Sequence, residues 1–279
     1  MLTLRGLEGL PEVQAGDDLA RLLLDGMLHS GAEPADGDVV VVCHKVVSKA
    51  EGRLVELKRL RPTKIARAWA AEYGRDPREV QAVLGEARDM VRVQRGVLVT
   101  ETRHGFVCAN SGVDRSNVPE GHVCLLPEDP DASARELAER LSEATETRLG
   151  VVITDTWGRP FRLGAVNVAI GIAVVPALHD YRGQADFGGR TLQSSTMAVA
   201  DELAGAAGLV MGKLRRIPAV LAQGVPSHPG AEPGTGASLL RSRGEDIFRG
   251  PVPASQCSAG PDSSGWGSRG GSRSAAPRW

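Results

Sequence analysis

The sequence predicts an α+β fold, and three observations carry that prediction. Asp38 is followed by four consecutive Val, and Val151-Val152-Ile153-Thr154 forms a second apolar block; both read as buried strands. Capped amphipathic stretches that read as helices lie before, between and after them. The two kinds of element mix without a strict strand–helix–strand rhythm, which favours α+β over a doubly wound sheet.

In chain order, Asp17 is placed to cap a helix whose apolar positions include Leu19, Leu22, Leu23, Met27 and Leu28, with Gly31 ending it. Asp38 to Val47 reads as a buried strand. Thr63 to Tyr73 and Pro77 to Arg88 read as two helices. Val91–Val93 and Val97–Thr102 are set to pair as a hairpin across Arg95-Gly96. A polar helix with a thin Ala/Leu stripe is expected from about Ala132 to Arg148, and Gly150 breaks it before the strand at 151–154. An Ala-rich helix is expected from about Ser195 to Val210, and Val220 and Leu221 mark a late strand. Pro226 to Gly236 reads as a long surface loop.

Composition narrows the functional classes. Apolar residues make up 42% of the 279, enough for a sizeable core. The net charge of −1 argues against a nucleic-acid binder, and 4% aromatics against a stacking platform for single strands. Cys43, Cys108, Cys124 and Cys257 show no C-x-x-C spacing, so neither a disulfide framework nor a cysteine zinc site is expected. With no signal-peptide pattern and no stretch long enough for a membrane span, the expected location is cytoplasmic. Residues 250–279 contain six Gly, four Pro and seven Ser, with Val252 the only aliphatic residue larger than Ala. That composition predicts a disordered low-complexity tail behind a body at 1–249.

Three stretches carry candidate chemistry. In VVITDTWGRPFRLG, 151–164, an apolar strand runs into Asp155 with Thr156 beside it. This is a hard-oxygen pair suited to Mg²⁺ or Mn²⁺. Arg159 and Arg162 follow and suit a phosphate- or carboxylate-bearing substrate. The plainer alternative makes Asp155 a turn cap and the arginines surface residues. In ETRHGFVCANSGVDRSNVP, 101–119, Glu101, His104, Asn110, Asp114 and Asn117 crowd around Gly105 and Gly112. That density suggests a loop wrapped on a ligand, with Asp114 a partner for Asp155 on one metal; an Asx-rich turn is the alternative. In CHKVVSKAEGR, 43–53, Lys45, Lys49 and Ser48 are candidates for triphosphate oxygens, against a solvated strand end. Three other patterns carry nothing. GLVMGKL at 208–214 lacks P-loop spacing, GWGSRG at 265–270 has no strand before it, and the six His form no metal triad.

At these residues the chain resembles a known family. GLPEV, SKAEGR, ETRHGFVCANSGVDRSNVP, DTWGRPFRLGAVNVAIG, DYRG and VADELAGAAGLVMGK occur in one order. Together they resemble the coenzyme F420:γ-glutamyl ligase family, over about Leu7 to Arg249. The resemblance implies an unusual α+β ligase fold of two intertwined subdomains, seen as a homodimer. It implies GTP-dependent addition of L-glutamate to a deazaflavin coenzyme precursor, F420-0, with further γ-linked glutamates a possible extension, through an acyl phosphate. It implies Mg²⁺ or Mn²⁺, and K⁺. Carried over residue by residue, Asp114, Asp155 and Thr156 would hold the metal, and the two aspartates would be catalytic. Leu10, Pro11, Glu12, Val13, His44, Lys45, Lys49, Asn117, Met211, Gly212 and Lys213 would lie against the nucleotide. Two positions depart from the family pattern: His44 stands where Ser is frequent, and Lys213 where many members have Gln. A charged lysine has no lone pair and cannot ligate a metal. Two other readings stay open: a ligase for another carboxylated cofactor, and a nucleotide-binding homologue without catalysis.

Overall fold

The computed structural model describes residues 1–228, 230–242 and 244–246. The expected tail at 250–279, and Cys257 with it, lies outside the described residues. The chain divides into two units, Met1–Leu240 and Arg241–Trp279. In the second unit, the described residues form a turn in which the Ser242 hydroxyl donates to Glu245 Oε2 at 2.9 Å.

The first unit is a mixed α+β body. Its elements are β1 (Thr3–Gly6), α1 (Leu19–His29), β2 (Val39–Cys43), α2 (His44–Ala50), β3 (Leu54–Glu56), α3 (Lys64–Tyr73), α4 (Pro77–Glu86), β4 (Ala87–Gln94), β5 (Val97–Thr102), β6 (Val107–Ala109) and β7 (His122–Cys124). They continue with α5 (Pro130–Thr145), β8 (Gly150–Arg159), β9 (Arg162–Ala173), β10 (His179–Asp180), β11 (Thr196–Met197), α6 (Val199–Met211) and β12 (Ala219–Gln223). The central sheet has the order β1-β12-β2-β8-β9. Only β2 and β8 run parallel, with Val39 opposite Gly150 and Cys43 opposite Thr154.

The Val run is explained by burial on both sides. Val40 and Val42 face α1 and α5, packing with Leu23, Leu141, Val151, Ile153 and Leu221. Val39 and Val41 face α6, packing with Val152, Ala204, Ala207 and Val220. A strand covered on both faces loses the polar alternation of a half-exposed one.

A smaller lobe packs α3 and α4 on the sheet β4-β5-β6, around Ala66, Ala70, Val80, Val83 and Leu98. The β4–β5 hairpin closes on Arg95 and Gly96, both at positive φ (+53° and +78°), with Gln94 opposite Val97. That is the two-residue turn whose twist suits a hairpin. Behind it, buried Glu86 is gripped by two guanidiniums. Arg53 Nη2 donates to Oε2, and Arg103 Nη2 to both oxygens, all at 2.8 Å.

Several sequence-derived boundaries move for local reasons. The first helix is capped by Asp18, whose carboxylate accepts from Arg21 N; Asp17 instead accepts from Gln14 N. The strand expected over 38–47 stops at Cys43, and Val46 and Val47 lie on α2. Helix α4 ends at Glu86, and Ala87 and Arg88 open β4. Helix α5 starts two residues early, with Asp129 as cap and Pro130 in the first turn, and stops at Thr145. Helix α6 starts at Val199, because Thr196 and Met197 pair with β10.

Replacing Glu86 with Ala leaves two guanidiniums facing a partly buried gap. Arg103 is 40% exposed, so the loss is discounted for solvent screening. The variant should lose about 2 kcal/mol of unfolding free energy, measured by urea titration.

Candidate functional site

The sheet builds the site at the C-terminal end of the parallel pair. Strand β2 ends at Cys43 and turns directly into α2, so His44 and Lys45 lie beside the segment of β8 that carries Asp155. Helical spacing puts Lys45 and Lys49 on one face, four residues apart. The Lys45 ammonium donates to Asp114 Oδ2 at 2.6 Å and Ser116 O at 2.9 Å, and also meets the Ser116 hydroxyl. The Lys49 ammonium donates to Asn117 O at 3.0 Å and pairs with Glu12. Helix α2 is thereby stitched to the 114–117 loop and to the turn at 10–13.

Asp155 is held from three sides. Thr156 N donates to its Oδ1 at 2.6 Å, and Trp157 Nε1 to its Oδ2 at 2.8 Å. His44 Nε2 lies 3.3 Å from Oδ1, too poorly aligned for a hydrogen bond, so that contact is electrostatic. The other nitrogen of His44 is 3.3 Å from the Ser48 hydroxyl. Burial pushes the Asp155 carboxyl up, but the His44 imidazole and the Thr156 and Trp157 donors outweigh it and hold it below the usual value. Asp114 behaves alike: burial raises it, and Lys45 with Ser116 brings it below the usual value. Both carboxylates are therefore ionised at neutral pH. The thiols are not. Burial pushes Cys43 up, Cys108 to about 12 and Cys124 to about 11, which removes thiolate chemistry at neutral pH.

Thr156 addresses the site from the other side of β8, because successive strand side chains alternate. Its hydroxyl donates to Asn167 Oδ1 at 2.9 Å and accepts from the Lys213 ammonium at 2.8 Å. Asn167 Nδ2 in turn reaches the Met211 sulfur at 3.7 Å. Just before Asp155 the pairing with β9 slips: Ile153 faces Gly171 and Thr154 faces Ala169, so Ile170 is an extra residue. Such a bulge re-aims the side chains that follow it.

A cavity of about 740 Å³ opens among these groups. Leu10, Pro11, Glu12, Val13, His44, Lys45, Lys49, Asp114, Asn117, Asp155, Thr156, Met211, Gly212 and Lys213 all line it. Its size suits a nucleotide-sized or cofactor-sized ligand. The F420-0:Gamma-glutamyl ligase family pattern matches residues 9–224. The chain belongs to that family. It is 46% identical over 250 residues to a coenzyme F420:L-glutamate ligase of Methanothermobacter thermautotrophicus, covering 89% of this chain and 99% of that protein. Proteins of the same name from Methanopyrus kandleri and Archaeoglobus fulgidus are 48% and 43% identical. They cover 85% and 87% of this chain, and 94% of each relative.

Other expectations for this F420-0:γ-glutamyl ligase family member are corrected by the geometry. Glu101, His104 and Asn110 do not line the cavity. Glu101 is buried 3.6 Å from Arg88, His104 Nε2 sits on the Pro127 and Glu128 carbonyls, and Asn110 Oδ1 accepts from Arg75. Gly112 serves packing: at φ +70°, a Cβ there would meet the Leu126 side chain at 2.7 Å. Ser48 is buried beneath His44 rather than turned to the cavity. Arg159 folds back on the carbonyls of Leu163 and Gly164, and neither it nor Arg162 lines the cavity. Sequence reasoning passed over Ser116, Asn167 and Arg216, which do line it. Ser116 was legible as the i+2 residue of an Asp turn, since its N–H donates to Asp114 Oδ1 at 2.7 Å.

Among the described residues, no three or more His, Cys, Asp or Glu gather as a metal centre, and no helix is long and apolar enough to cross a membrane. The donor set in the cavity is instead two ionised carboxylates and a hydroxyl. An oxygen-only set of this kind suits a hard divalent cation such as Mg²⁺ or Mn²⁺ better than zinc, which favours nitrogen and sulfur ligands.

The lowered carboxyls also set a pH signature. Their contribution to stability is complete above the usual aspartate value of 3.8 and fades as pH falls through their lower folded values. Lys45→Met should therefore be less stable than the parent near pH 7. The gap should close as pH drops below about 4. Urea midpoints across a pH series test this, and a gap that widens in acid contradicts it.

Proposed function

We propose that this chain is a GTP-dependent ligase that joins L-glutamate to the deazaflavin coenzyme precursor F420-0. One observation carries the reading: Asp114 and Asp155, 41 positions apart in the sequence, line one cavity together with Lys45, Lys49 and Lys213. The names of its relatives support the substrates, and the charges in the cavity support the chemistry.

A carboxylate does not condense with an amine in neutral water, because its oxygen leaves poorly. In the proposed reaction a carboxylate oxygen of the precursor attacks the γ-phosphorus of GTP. The bond from that phosphorus to the β-bridging oxygen breaks, and GDP departs. The amine nitrogen of L-glutamate then attacks the acyl carbon, the bond to the phosphate oxygen breaks, and inorganic phosphate and a proton leave. Each turnover converts one precursor carboxylate, one GTP and one glutamate into an amide, GDP and phosphate.

Asp114 and Asp155 would hold Mg²⁺ or Mn²⁺, with Thr156 contributing through the lone pair its two hydrogen bonds leave free. When bound, that cation neutralises charge on phosphate oxygens. The protein's own groups do the rest. Lys45 and Lys49 supply fixed positive charge beside the turn at Leu10–Val13, and Asn117 borders the same corner. Trp157 and His44 keep the Asp155 carboxylate in one orientation. Lys213, on Thr156, brings a cation to the far side of β8. The same reading carries a homodimer: Phe161 and Leu163 stand 88% and 85% exposed near the β8–β9 turn, where a second copy would cover them.

The test is mass spectrometry of the precursor after incubation with GTP, Mn²⁺, K⁺ and L-glutamate. A gain of one or more glutamate residues is expected, with GDP release in step. Asp155→Asn keeps the shape but removes the charge, and its single amide oxygen accepts from either Trp157 Nε1 or Thr156 N, not both. It should lower kcat on the order of a hundredfold, with a fall in melting temperature no larger than the loss of one buried hydrogen bond brings. Near-parental turnover by this variant at saturating GTP and metal would defeat the proposal.

A further inference from the structure

The charges lining the cavity do not cancel evenly. Lys45 is matched by Asp114 and Lys49 by Glu12. Asp155 faces His44. The turn that follows α6 is different. Lys213 rests on the neutral hydroxyl of Thr156, and among the described residues no hydrogen bond or ion pair engages the Arg216 guanidinium, which also lines the cavity. All of the uncompensated positive charge on the described lining thus comes from one turn. Its backbone is unusual as well: Arg216 sits at φ +55°, a left-handed conformation that Gly or Asn adopts more easily.

We infer that Arg216, with Lys213 beside it, forms an oxyanion subsite and is a specificity-determining residue for the proposed ligation. This deepens the proposed function and rests on it. A guanidinium presents a planar fork of donors that matches two oxygens of a carboxylate or phosphate at once. The chemistry shared by the reactants is such an oxyanion: phosphate on the nucleotide, carboxylate on the amino acid. The competing explanation is that cations here only compensate the negative C-terminus of α6. Arg215 separates the two. It is also exposed and lies closer to the helix end, but it does not line the cavity.

The test compares the full chain with Arg216→Asn and Arg215→Asn. Asn tolerates the left-handed conformation, so the first variant should fold. Calorimetric titration at low ionic strength uses inorganic tripolyphosphate and, separately, L-glutamate. Arg216→Asn should weaken at least one of them tenfold or more, while Arg215→Asn stays within about twofold of the parent. Loss of tripolyphosphate affinity assigns the subsite to the nucleotide. Loss of L-glutamate affinity, with a raised KM for glutamate and an unchanged KM for GTP, assigns it to the amino acid. Equal effects of the two variants overturn the inference. So does a parent protein that binds neither probe, or a fall in melting temperature for Arg216→Asn with both affinities intact. Product formation by the parent is read separately by mass spectrometry. A parent that binds tripolyphosphate through Arg216 but makes no product sinks the ligase reading and keeps the subsite.

Discussion

The arrangement depends on one pairing, the parallel alignment of β2 with β8. In that register Cys43 is opposite Thr154, so the next residue along each segment begins the site: His44, the first residue of α2, and Asp155 on β8. A shift of one residue would turn Asp155 to the opposite face and break its contacts with Trp157 and His44. The same pairing requires both faces of the sheet to be covered, which is why α1 and α5 lie on one side and α6 on the other. Packing and chemistry are therefore coupled. The apolar residues that fix the register at Val39–Val42 and Gly150–Ile153 also fix where the carboxylate emerges.

The cavity is organised by charge pairs that span long sequence separations. Lys45 to Asp114 and Lys49 to Glu12 join the α2 helix to two different loops. Their cost is desolvation, and it is limited because the acids keep solvent contact: Glu12 is 70% and Asp114 40% exposed at the side chain. Under the proposed reaction this matters for preorganisation. The ammonium groups are already aimed at the corner where phosphate would sit, so little side-chain reorganisation is needed when an anion arrives.

Much of the fold was legible because its signals are local. The helices read from Thr63 and from Pro77, and the Arg95-Gly96 hairpin, are set by neighbouring residues, with Thr63 and Asp76 capping the two helices in the structure. The failures arise where tertiary packing overrides propensity. Val46 and Val47 look like strand residues, yet they lie on α2 because Val47 is buried against the core around Leu23 and Ile153. In the 101–119 stretch, polar density mixed two classes of residue. Asp114, Ser116 and Asn117 reach the cavity, while Glu101 and Asn110 meet Arg88 and Arg75 in the smaller lobe and His104 sits on the Pro127 and Glu128 carbonyls. Composition alone does not separate a carboxylate that binds Arg88 from one that faces a cavity. Arg216 escaped notice because its signal is a backbone angle and a missing partner, neither of which a sequence displays.

Adjacency in sequence is a poor guide to shared ligation, and Asp155-Thr156 shows why. The pair reads as one metal-binding unit, but strand alternation sends the two side chains to different sides of β8. The carboxylate goes to His44 and Trp157, the hydroxyl to Asn167 and Lys213. All three line one cavity, but Asp155 shares with Asp114 an ionised carboxylate that its neighbour lacks. The Thr156 hydroxyl already donates once and accepts once, so only one lone pair remains for a cation. The ammonium on its other lone pair repels any divalent ion that approaches. A ligand set that counts Thr156 equally with the two aspartates therefore overstates it. The carboxylates carry the negative charge that a cation needs, and Thr156 adds one neutral lone pair while it fixes Lys213.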